Sequence, residues 1–324
     1  MKKVKCIVMG LLFTGLLLFG SLNAVAAEYP ERGIEIIVPF GVGGGSDTAA
    51  RAVAEGMKPL LKVPLVITNI SGGGGAKGML QASLQPADGY TIFATTTSHL
   101  IDAVQPKTRA QLLRDFDPLM RIQWDTTAVF VSGESKFKTL QDLIDYGKKK
   151  PKFLTFAGTS PGAWSEIQTV AFFKKVGVEA TFVPFESGAE IKAAILGGHI
   201  TGACEELAET LPLVQAGKIK ALAVIMEKRH PALPDVPCTQ ELGIDFTHGL
   251  MRAWSVRKGT PPDRVKFLHD VIKKALDHPG YVKFVQENHL YARPGYLGPE
   301  ETRKYWEDEV KFFTDVLKDL GYVK

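Results

Sequence analysis

Short apolar runs alternate with amphipathic stretches along most of the chain. IEIIVPF (34–40), PLVITNI (64–70) and YTIFATTT (90–97) are rich in β-branched and aromatic residues and predict strands. SDTAARAVAEGMKPLL (46–61) and AKGMLQASLQ (76–85) lie between them with helical spacing. The alternation resumes after residue 125. DTTAVFVSG, FLTFAG, ATFVPF, HITGACEE and ALAVIM predict strands, and LQDLIDYGKKK, WSEIQTVAFFKKVG and AEIKAAILGG predict helices. The tail predicts helices opened by Thr260-Pro261-Pro262-Asp263, with Thr260 as cap, and by Pro279 and Pro299. Such alternation predicts an α/β fold with largely parallel sheets, and the length predicts two domains.

Three of the strand-to-helix turns are rich in Gly, Ser and Thr: residues 41–48, 71–78 and 158–163. Ligands of open α/β sheets sit at the carboxyl ends of strands. Turns that converge there would line one polar site with backbone N–H groups. Such groups at helix N-termini carry partial positive charge and hold a carboxylate without a basic side chain. Ser46, Thr159 and Ser160 add hydroxyl donors, and Asp47 is placed either to order its loop or to meet a ligand hydroxyl, amine or water.

Each turn imitates an enzyme motif and departs from it. Gly41-Val42-Gly43-Gly44-Gly45-Ser46 lacks the Gly-Lys-Ser/Thr of a nucleotide phosphate loop, and Asp47 would repel a polyphosphate. Gly73-Gly74-Gly75-Ala76-Lys77-Gly78 has dinucleotide spacing, but no acid follows at the end of the next strand. Gly158-Thr159-Ser160-Pro161-Gly162 fits a nucleophile elbow, with Asp235 and His248 following in hydrolase order. Pro161, however, has no N–H to give an oxyanion, a loss of about 3 kcal/mol. None of the seven histidines stands in a metal-binding spacing. The sequence therefore predicts neither an enzyme, nor a cofactor, nor a metal site.

Composition adds a compartment. MKKVK, an apolar core of about 15 residues and Ala24-Val25-Ala26 form a secretory signal with cleavage expected after Ala26 or Ala27. Loss of Lys2, Lys3 and Lys5 brings the net charge from +4 to about +1, which argues against a nucleic-acid partner. Cys204 and Cys238 remain, free to bridge in an oxidising periplasm or to stand apart as buried thiols.

At the glycine turns the chain resembles the substrate-binding proteins of tripartite tricarboxylate transporters, the Bordetella-uptake-gene (Bug) receptors. YPERGIEIIVPFGVGGGSDTAAR, ITNISGGGGAKG, PADGYTIFATT, KTLQDLIDYGKKKPKFLTFAGTSPG and VPFESGAEIKAAILGGHI follow the family's blocks in order, as do LPLVQAGKIKALAV and WSVRKGTPPDRV. The resemblance covers essentially the whole mature chain. It implies a two-lobe Venus-flytrap fold, type II-like, with two interlobe crossovers. Lobe one would be 28–127 plus 250–324, and lobe two 128–249. It further implies a monomeric receptor that delivers a small carboxylate to membrane permease subunits. The same receptor could instead feed a signalling kinase.

By position, the resemblance places Phe40, Gly43, Gly44, Gly45, Ser46 and Asp47 in the first carboxylate loop and Gly74 and Gly75 in the second turn. It places Thr95 and Thr97 at the third strand's end, and Thr159, Ser160, Gly162 and Ala163 in lobe two's anion turn. Phe185 stands for the family's usual Tyr. Four positions bear on the ligand: Ala163 replaces Ser or Thr, Glu166 replaces His, Glu186 replaces Lys, and Glu205 keeps the family's acid beside Glu206. Acids facing the cleft would penalise a trianion and favour a monocarboxylate or a ligand with hydroxyls or an amine. Trp164 is placed either to stack on a ligand or to pack its own helix.

Overall fold

A computed structural model describes residues 29–185 and 187–324. The expected leader and the expected cleft residue Glu186 therefore lie outside the described residues.

The chain begins with β1 (Ile34–Val38), α1 (Gly45–Met57), β2 (Leu65–Asn69), α2 (Ala76–Ser83), β3 (Thr91–Thr96), α3 (Thr97–Val104), the single turn α4 (Leu112–Asp115) and β4 (Phe116–Asp125). It continues through β5 (Thr127–Ser132), α5 (Leu140–Lys149), β6 (Leu154–Thr159), α6 (Trp164–Lys175), β7 (Ala180–Phe185), α7 (Gly188–Leu196), β8 (Gly202–Glu206), α8 (Leu207–Gln215) and β9 (Ile219–Ile225). It ends with β10 (Leu250–Arg257), α9 (Pro262–Ala275), α10 (Pro279–Glu287) and α11 (Pro299–Leu320).

Two five-stranded sheets result, in the orders β2-β1-β3-β10-β4 and β7-β6-β8-β5-β9. The expected largely parallel sheets are in fact mixed. β2-β1-β3 and β7-β6-β8 are parallel, whereas β10 and β5 run antiparallel to both neighbours. The reason is the path of the chain. β5 and β10 are the strands on which it arrives from the other sheet, so each enters at the carboxyl ends of the parallel strands and runs backwards.

Each sheet is covered on both faces, because successive strand residues point to opposite sides. In β1, Ile34, Ile36 and Val38 join a core with Val53, Met57, Leu268 and Ile272. Ile37 faces the other way, towards Met79, Phe93, Trp306 and Phe313. The second sheet is sandwiched likewise, with Val129, Phe156 and Phe173 on one side and Phe130, Ile191 and Leu211 on the other.

Pro279 and Pro299 open α10 and α11 as expected, but α9 starts at Pro262. Its cap is Pro261, while the Thr260 hydroxyl donates back to the Arg257 carbonyl at 2.7 Å. Cys204 and Cys238 are buried and free. They lie in separate core clusters, and burial pushes the Cys204 thiol up to about 12.

The chain crosses between sheets at Thr126 and again through residues 226–249. The crossings touch: a Cβ on Gly249 would lie 2.3 Å from the Asp125 carbonyl oxygen. Arg293, stacked over Trp124 at 4.4 Å, donates to the carbonyls of Ile225 and Thr247 and ties both ends of the return crossing to the first lobe.

Candidate functional site

The three glycine-rich turns lie at the carboxyl ends of β1, β2 and β6. Two of them meet across the lobes. A Cβ on Gly74 would lie 3.0 Å from the Ala163 Cβ and 3.7 Å from the Ser160 Cβ. Gly74 and Gly75 have φ of 67° and 99°, and Gly162 has φ of 66°, conformations that favour glycine. Ser160 takes φ of 53°, which an L-residue adopts only at a cost.

The first and third turns share a device. The Gly43 N–H donates to Asp47 Oδ2 at 2.8 Å, and the Gly162 N–H donates to Glu166 Oε2. In both, a carboxylate in the first turn of the following helix reaches back four residues and engages a turn amide. Asp47 is buried and also accepts from Arg51 Nε at 2.9 Å and Asn69 Nδ2 at 3.0 Å. Burial opposes its charge, but these hydrogen bonds outweigh burial and hold its pKa below the usual range. Of the two roles expected for Asp47, ordering the loop is the one its bonds serve. Asn69 also donates to the Phe40 carbonyl, which fixes the entry to the loop.

Gly45 marks a close approach between the lobes. A Cβ there would lie 2.2 Å from Arg252 Nη2 and 2.3 Å from Glu209 Oε1. Arg252, on β10, is buried and pairs with Asp125 through Nη2 at 2.6 Å and Nε at 2.7 Å. Its Nη1 donates to Ser46 Oγ at 2.7 Å, and Glu209 lies 3.7 Å away. Burial opposes the charge of Arg252, but Asp125, Glu206 and Glu209 overcome it and raise the pKa.

Lobe two contributes the acids. Glu205 and Glu206, at the end of β8, are half-buried as residues, but the Glu205 Oε1 is fully enclosed and has no hydrogen-bond partner. Burial, then Glu206 and Glu209, push the Glu205 pKa well up, against the opposing Lys192. Burial and Glu209 raise Glu206 to about 7, against the opposing Arg252. A void of about 30 Å³ remains here, lined by Gly45, Asp125, Glu206, Glu209 and Arg252, room for about one water. A larger cavity of about 560 Å³ lies on the outer side of lobe two, between Leu140, Lys148, Lys175 and Leu242. None of the three turns lines it, so its size carries no weight for the site.

The other expected residues make contacts of their own. Thr95 is buried with its hydroxyl 2.9 Å from Ser255 Oγ, and Thr97 Oγ1 accepts from the Met251 N–H at 2.8 Å. Both hydroxyls are engaged by β10 and its neighbourhood. Of the two roles expected for Trp164, packing is the one its burial serves. It is buried in the lobe-one core, edge-on to Phe313 at 6.0 Å; its backbone N–H donates to Ser98 Oγ at 3.3 Å, while the indole Nε1 is enclosed without a hydrogen-bond partner. Phe185 packs partly buried against the lobe-two core. The Thr159 carbonyl accepts from Ser165 Oγ at 2.7 Å. No histidine or acid hydrogen-bonds the Ser160 hydroxyl among the described residues; His248 instead stacks on Phe312 at 3.8 Å.

Sequence reasoning missed Arg252, Asp125, Glu209, Lys107 and Asp102. A signal existed for the first, since Arg252 interrupts the apolar run LMRAWSV.

The comparisons agree with this architecture. The sequence profile of the tripartite tricarboxylate transporter family receptors matches residues 49–322. Protein BugT of Bordetella pertussis is 28% identical over 301 residues, covering 91% of each chain. A solved R. palustris protein, Rpa4515 with adipate, superposes with a TM-score of 0.80 at 26% identity, covering 90% of this chain and 98% of the other. The periplasmic binding protein BugD gives 0.79 at 26%, covering 90% and 99%. With two lobes, paired mixed sheets and a profile match across most of its length, the chain belongs to the tripartite tricarboxylate transporter receptor family.

Proposed function

We propose that this chain is an exported receptor whose interlobe cleft captures a small carboxylate and hands it to the transporter's membrane permease. The observation that carries the reading is the meeting of glycine turns from two lobes, with Gly74 against Ala163 and Ser160. Adipate in the R. palustris relative supports the ligand class. The leader is cleaved after Ala26 or Ala27, and the lobes divide as 28–127 plus 250–324 against 128–249. No chemical step is assigned to the cleft.

The acids narrow the ligand. Asp125, Glu205, Glu206 and Glu209 gather near Arg252, so its positive charge is already matched, and a trianion would bring more negative charge into a poorly hydrated space where Glu205 and Glu206 are already held towards their neutral forms. A monocarboxylate, or a carboxylate with hydroxyl or ammonium donors, suits that end of the cleft better.

A thermal-shift panel of lactate, benzoate, glutamate, adipate and citrate tests this reading. At about 100 times its Kd the cognate class adds roughly 2.7 kcal/mol of stability. Silence across the panel would count against the carboxylate assignment, and a largest shift with citrate would overturn the narrower one.

A further inference from the structure

Between the second glycine turn and the lobe-two turn stands one ammonium group, that of Lys107. Its Nζ donates to the Gly162 carbonyl at 3.0 Å, so a lobe-one side chain grips the lobe-two turn directly. A Cβ on Gly74 would lie 3.1 Å from the same Nζ. Behind it lies Asp102 of α3, 1% exposed, with Oδ1 3.4 Å from Nζ. Neither Asp102 oxygen has a well-aligned hydrogen bond. A carboxylate buried in that way is costly, and the nearby ammonium offsets only part of the cost, so burial still pushes the Asp102 carboxyl up to about 6.

The turn itself has few donors left. The Gly162 N–H is engaged by Glu166, the Ala163 N–H by the Ser160 carbonyl at 3.2 Å, and the Trp164 N–H by Ser98 Oγ. An anion arriving there meets three occupied amides. Lys107 is the charged donor beside them, and its three N–H bonds exceed the one accepted by Gly162.

We propose that Lys107 is a specificity-determining residue of the cleft. It supplies the positive charge that a ligand carboxylate meets at the lobe-two turn. Asp102 is its positioning residue, and the bond to the Gly162 carbonyl presents the charge when the lobes are together. The inference rests on the carboxylate-receptor reading.

Calorimetric titration of lactate, benzoate, glutamate and adipate into the wild type, Lys107→Gln, Lys107→Arg and Asp102→Asn tests it. Lys107→Gln should weaken whichever acids the wild type binds by about tenfold or more. Lys107→Arg should restore most of the affinity, because the charge returns. Asp102→Asn should weaken binding, and the gap between wild type and Lys107→Gln should shrink as salt rises. Binding by Lys107→Gln within twofold of wild type overturns the assignment while leaving the receptor reading intact. A wild type that binds none of the four acids overturns both. Should Lys107→Gln not fold, unchanged binding by Asp102→Asn with loss of binding in a folded Lys107→Arg is the overturning result.

Discussion

The Gly43 amide donates to Asp47 Oδ2 at 2.8 Å, so the first glycine loop already holds a carboxylate of its own. The loop is therefore shaped from within, and what it offers a ligand is the geometry that this bond imposes.

Replacing Asp47 with Ala should leave the Gly43 N–H, Arg51 and Asn69 without their shared acceptor. The expected cost is about 1–3 kcal/mol in urea unfolding. Ligand affinity should fall as well, because the loop loses its pin. A variant as stable as wild type would show that the bond is dispensable.

Gly45 tests closure. A methyl there would sit 2.2 Å from Arg252 Nη2, and Arg252 cannot swing aside without breaking its pair with Asp125. Gly45→Ala should cost about 1–3 kcal/mol, felt mainly in ligand affinity because Glu209 presses on the same point from the other lobe. Equal affinities in wild type and variant would mean that the lobes never approach this closely in the bound state.

Stability should depend on pH through Glu206. Its folded pKa is raised from 4.5 to about 7, so the folded state binds the proton more tightly than the unfolded chain. This group alone makes stability fall as pH rises from 4.5 to about 7 and stay level above. Glu206→Gln should then stabilise the protein more at pH 8 than at pH 4.5, compared by urea midpoints. An equal gain at both values would place the effect in packing instead of charge.

Much of the architecture was legible because backbone demands leave marks. Positive φ at Gly74, Gly75 and Gly162 calls for glycine, so the turns announced themselves. β4 and β10 were not predicted because FDPLMRIQWD and LMRAWSVR carry charges inside apolar runs. Three of those charges are buried and engaged: Arg121 donates to the carbonyls of Gly295 and Pro294, and Arg252 pairs with Asp125. The pairing partners lie far along the chain, where no local pattern reaches. Trp164 shows the same limit, since its partner Phe313 sits on α11 in the other lobe. Arg252 and Asp125 were hidden for this reason, while the glycine turns and the acids at Asp47, Glu166, Glu205 and Glu206 were visible.

Asp125 faces two ways. Its carbonyl is pressed against Gly249 where the two crossings touch, and its carboxylate holds Arg252 beneath Ser46. The pivot and the pocket thus have one residue in common. A ligand that disturbs the Arg252 pair would therefore act directly on a residue of the crossing between the sheets, with no chain of intermediaries between them.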